Sequence, residues 1–113
     1  MNKVTERPSF QGDLMIRRIA VIPASAKAAP SHDGTHILAH SETGHHHVVE
    51  AAGATHFIDD MNAFISYLDV ADESVLKHMR EFDTHAPYLL EPGKYEVRRQ
   101  REYTPQGWRR AAD

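Results

Sequence analysis

The sequence predicts an all-β domain: a small barrel, jelly roll or sandwich of about seven or eight short strands. Two observations carry this prediction. Short runs of branched and aromatic residues alternate with turns rich in Gly, Pro, Asp and Asn, at intervals of roughly 8–12 residues. No stretch sustains a helical period, and neither an internal repeat nor a low-complexity tract breaks the pattern.

At 113 residues the chain fits one domain. Residues 1–11 read as a polar N-terminal arm that meets the fold near Phe10, and residues 12–113 as a single β domain. Gly12-Asp13 opens the first strand, Leu14 to Ile19, whose branched apolar residues suit a pleated, half-buried surface. Residues 20–35 contain Pro23 and Pro30; proline fixes φ and removes a donor, so this segment reads as an extended loop. Asp33-Gly34 is a turn signal before a strand over Thr35 to His40. Ser41 to Gly44 forms a second turn, followed by a strand from His45 to Ala51.

Gly53 interrupts the pattern, and Thr55 to Ile58 resumes it. Asp59 to Asn62 is a polar turn before the strand Phe64 to Val70. Val75 to Phe82 fits either a strand or one helical stretch. Asp83 to Pro87 is a loop, and Tyr88-Leu89-Leu90 a short strand. Glu91-Pro92-Gly93-Lys94 is a tight-turn signal, because Pro presets φ and Gly accepts positive φ after it. The last strand, Tyr95 to Tyr103, is the longest; Pro105-Gln106-Gly107 ends it and leaves the tail Trp108-Arg109-Arg110.

Composition removes several classes of function. With no cysteine, disulfides and thiolate-bound zinc or iron–sulfur centres are excluded, so any metal must be held by nitrogen and oxygen. No apolar run approaches the ~20 residues that span a bilayer, so no membrane partner is expected. The polar N-terminus lacks a secretory pattern; the expected location is cytoplasmic, or virion-associated.

The chemistry-bearing segment is Gly44-His45-His46-His47, in a chain with nine histidines. Side chains alternate along a strand, so His45 and His47 share a face and can reach one ion. Imidazole suits zinc, copper, iron and nickel, and without thiolate the pair needs a third ligand from elsewhere. His85, His78 and Glu50 are the candidates, with Glu42 as a weaker option and Asp83 as an acceptor that orients an imidazole. His32, His36, His40 and His56 fall outside this pattern. The competing reading is a solvated histidine turn with His47 half-buried under the sheet.

Charge is uneven. Residues 94–110 hold six basic residues against Glu96 and Glu102, a net of +4 within a chain of net charge −3. Arg99, Arg101 and Tyr103 share one face of the last strand, and Trp108 follows; this set suits partner contacts, including phosphates and stacked single-stranded bases. An acidic chain favours the alternative, in which these arginines pair with the rest of the domain and nucleic acid is not bound.

Glu42-Thr43-Gly44-His45-His46-His47 and Arg99-Gln100-Arg101-Glu102-Tyr103-Thr104-Pro105 resemble a group of small, uncharacterised bacterial and bacteriophage all-β proteins. In that group a Thr-Gly-His-x-His turn precedes a Pro-Gly-x-Tyr hairpin and an Arg-Gln-Arg-Glu-Tyr strand. The resemblance spans about residues 12–113 and implies a phage or mobile-element setting, with no activity attached. His45, His47 and Glu50 are also similar to the first half of the cupin metal pattern. The glutamate follows His47 too closely for that pattern, Pro92 and Gly93 are adjacent, and no histidine follows them, so only the two histidines carry over. The expected function is therefore divalent metal binding through the His-x-His pair. The alternatives are a non-catalytic component of a phage particle or homo-oligomer, and single-stranded nucleic-acid binding through the basic strand.

Overall fold

The computed structural model describes residues 1–39, 46–78 and 86–99, together with the backbone of 101–104 and 107–110. Its strands are β1 (Asn2–Lys3), β2 (Ser9–Gln11), β3 (Leu14–Ile19), β4 (Lys27–Ala29), β5 (Thr35–Ala39), β6 (His47–Glu50) and β7 (Ala54–Ile58). They continue as β8 (Ile65–Val70), β9 (Ser74–His78), β10 (Tyr88–Leu90), β11 (Gly93–Arg99), β12 (Arg101–Thr104) and β13 (Gly107–Arg110). Among the described residues, helix is confined to the 3-10 turn Ala51–Gly53.

The strands form a five-stranded sheet, β1-β10-β9-β6-β5, a six-stranded sheet, β2-β3-β11-β8-β7-β4, and a two-stranded ribbon, β12-β13. Of the three architectures open to the sequence, the fold is the sandwich and not a closed barrel. The core draws on both sheets: Leu14, Ile16, Leu68, Val70, Tyr95 and Val97 from the six-stranded one, and Leu38, Val49, Leu76 and Leu90 from the five-stranded one. Period-two alternation creates that division, as in β9, where Ser74, Leu76 and His78 are buried while Lys77 faces water. That alternation also settles Val75 to Phe82 over its described part as strand.

Turn chemistry holds where it is strongest. Asp33 and Gly34 both have positive φ, at 51° and 78°, closing a tight hairpin between His32 and Thr35. Gly12 and Asp13 form a two-residue loop between Gln11 and Leu14, which are register partners.

Three readings change. The proline-flanked loop contains the short edge strand β4, which pairs with β7 and is anchored by Lys27 on Asp60 at 3.1 Å. The expected last strand is split: β11 runs out at Arg99 because its neighbours β3 and β8 end opposite it, at Leu14 and Ile65. Among the described residues beyond that point, β12 pairs with β13, the segment expected as a tail. The N-terminal stretch pairs at both ends, β1 with β10 and β2 with β3, and buries Val4 between them.

Candidate metal centre

The strands β6 and β9 pair over two rungs, His47 opposite His78 and Val48 opposite Lys77. Both histidines point into the sandwich, His47 fully buried and His78 nearly so. Their rings stack with centroids 4.1 Å apart and planes within 2° of parallel. A ring nitrogen offers its lone pair in the ring plane, so an ion in the plane of His47 lies well out of the plane of His78. The stack therefore supports His47 from one side; in this arrangement the two rings do not aim at a common ion.

The groups that do meet His47 edge-on come from the β2–β3 hairpin. The Gln11 amide Nε2 donates to two backbone carbonyls, Leu76 at 3.1 Å and Ala86 at 3.0 Å. That fixes the amide orientation, so Gln11 Oε1 faces His47 Nδ1 at 2.9 Å. An amide oxygen only accepts, hence Nδ1 carries the proton and donates it. In the neutral ring, Nε2 then presents a lone pair. It lies 3.3 Å from Oδ1 of Asp13, a buried carboxylate on the same hairpin turn. A lone pair facing a carboxylate in a protein interior needs a cation or a proton between them.

Of the residues the sequence pattern selects, His47 and His78 are brought together, while His45 and His85 lie outside the described residues, as do Glu42 and Asp83. Glu50 ends β6 exposed to solvent, on the opposite side from His47, because the strand alternates; it is not a ligand beside that ring. Gln11 and Asp13 are not selected by spacing from the histidines; the one local signal is the Gly12-Asp13 turn itself. Among the described residues, no three His, Asp or Glu side chains converge on one point.

A family model described as "Domain of unknown function (DUF8820)" matches residues 10–100. The chain belongs to this family. The DUF8820 region starts just before Gln11 and ends just after β11, so it takes in Gln11, Asp13, His47 and His78. The β12–β13 ribbon lies beyond it. No curated protein and no solved structure matches the chain.

The basic edge thus straddles the DUF8820 boundary. Arg101, Tyr103 and Trp108 sit on the ribbon, with Tyr103 and Trp108 as register partners. Arg99, inside the boundary, donates through Nη2 to the Ala63 carbonyl and lies over the Phe64 ring, 5.4 Å from its centroid. Its neighbour Arg98 and the cross-strand Arg17 both reach Oε1 of Glu96, at 3.0 and 3.1 Å. Burial pushes the Glu96 carboxyl up, but hydrogen bonds from Arg98 and Arg17 outweigh it and hold the group below the usual carboxylate range. These three arginines serve the domain's own contacts. No helix among the described residues is long and apolar enough to cross a membrane.

Proposed function

We propose that this domain binds a divalent transition-metal ion (zinc, nickel or iron) with His47 Nε2 and an Asp13 carboxylate oxygen as ligands. The observation that carries the proposal is the 3.3 Å separation of those two atoms with the far nitrogen of the ring already committed to Gln11. Ligand atoms about 2.05 Å from a tetrahedral zinc are separated by about 3.3 Å, so the pair is spaced as one edge of such a site. Gln11 plays the part that outer partners play in metal sites, fixing the tautomer and the ring orientation. The remaining positions fall to His45 and His85, as the His-x-His pattern suggests. Burial of His47 favours an ion that stabilises the fold over one that meets a substrate.

Elemental analysis of untagged protein, expressed with zinc, nickel and iron supplied in turn, tests this directly. About one equivalent is expected in the parent and little in His47→Ala or Asp13→Asn. A parent holding less than about a tenth of an equivalent of every metal would end the proposal.

A second reading, an assembly component in a homo-oligomer or phage particle, draws on the β12–β13 ribbon. Two strands outside both large sheets are marginal by themselves and gain most from a partner. A phage or mobile-element setting and a cytoplasmic or virion location belong to this reading and rest on the sequence. Mass measurement in solution checks it; a strict monomer counts against it.

A further inference from the structure

Away from His47, a second pair of histidines closes the space between the two sheets. His36 projects inward from β5, an edge of the five-stranded sheet, and His56 inward from β7 in the six-stranded one. They are 5 % and 8 % exposed. Their ring centroids are 5.7 Å apart and the planes are inclined by 60°.

His36 Nε2 donates to the Ala54 carbonyl at 3.0 Å, because a carbonyl only accepts. The neutral ring therefore turns a lone pair outward at Nδ1. That nitrogen is buried and meets no hydrogen-bond partner, and the same is true of His56 Nε2. Two orphaned ring nitrogens in one interior are costly for an apolar interface to carry, and natural folds fill such places with water or an ion.

We propose that the His36–His56 pair is a second metal position, one that takes monovalent copper. Two imidazoles bound to one ion at about 2.0–2.1 Å can have their ring centres up to about 6.4 Å apart, the limit for a linear pair, and the observed 5.7 Å lies within that reach. The Ala54 carbonyl holds His36 as backbone carbonyls hold ligating histidines in known sites. The charge of the ion follows from the surroundings. Among the described residues, no third His, Asp or Glu joins the pair, and the nearby guanidinium of Arg99 acts on His56 with the wrong sign for a cation. A buried set of two ring nitrogens accommodates a singly charged ion that tolerates few ligands far better than a divalent ion needing several.

The test is anaerobic competition for copper(I) between the full chain and a chromogenic chelator. One equivalent is expected to bind. His36→Gln and His56→Gln should each weaken binding by about tenfold or more, whereas His47→Ala, which empties the other proposed centre, should leave it unchanged. The reading is overturned if the parent competes no better than a blank, as it would if water alone fills the gap, or if both glutamine variants keep parental affinity. Loss on His47→Ala alone would overturn it too. Should the variants fail to fold, X-ray absorption of the copper-loaded parent decides. A shell of nitrogen with imidazole scattering is the expected result, and sulfur from methionine excludes the pair.

Discussion

Gln11 does more for the interior than its place beside an exposed phenylalanine suggests. Its amide satisfies three groups at once: two backbone carbonyls, of Leu76 and Ala86, and the Nδ1 proton of His47. Removing one partner of a buried hydrogen bond leaves the other to bear its desolvation, which costs about 1–3 kcal/mol per group. Gln11→Leu, similar in volume, should therefore lower stability by about 2–4 kcal/mol in urea unfolding. Gln11→Glu should be at least as damaging, since a carboxylate would face two carbonyl oxygens. A loss below half a kcal/mol for both would show that the network contributes little. None of this is legible in the sequence. His47 announces itself by its neighbours, but Gln11 and Asp13 stand 36 and 34 positions away and become its partners only when the sheets close.

At the scale of the element, the corner entering β11 is the most constrained. Gly93 has φ of 154°, and a Cβ placed there would fall 2.5 Å from Arg18 Nη2. Arg18 is not free to leave, as it donates to the Pro92 carbonyl at 2.6 Å and covers the ring of Tyr95. Gly93→Ala should thus cost about 1–3 kcal/mol, measured by thermal or urea unfolding; an unchanged midpoint would show that the corner yields. The tight turn read there is not formed, since Gly93 already opens β11 and β10 and β11 lie in different sheets, but the positive φ at Gly93 was legible from Pro-Gly. So were Leu14–Ile19 and Tyr88–Leu90, whose composition and flanking turns act locally. The strand β4 was not, because three residues between prolines become a strand only by borrowing hydrogen bonds from β7. The change of partners between β11 and β12 was equally hidden, because it follows from where β3 and β8 stop.

For the whole molecule, the histidines between the sheets set how stability responds to acid. His56 has its pKa lowered from 6.5 to about 4, first by burial, then by His36 and Arg99. Between those values the unfolded chain binds a proton that the folded one refuses, so stability is fully present above about pH 6.5 and falls as pH drops toward 4. The loss attributable to this group is up to about 3 kcal/mol, and below pH 4 it levels off. Denaturant midpoints measured from pH 7.5 to 4 should decline steeply in the parent and less so in His56→Gln. Equal slopes would remove His56 as the cause. The all-β class was readable from turn spacing and alternation, with the sandwich one of three architectures left open, yet the inward placement of His36 and His56 was not, since alternation leaves open which face of a strand is covered.

The amide of Gln11 spans 75 positions to the carbonyl of Ala86. A chain made from its N-terminus onward holds the donor long before it holds the acceptor. The contact between Gln11 and that carbonyl consequently cannot form until the chain has been made past Ala86. If the proposed ion is held by Asp13 and His47, its opening to enter lies before that contact closes.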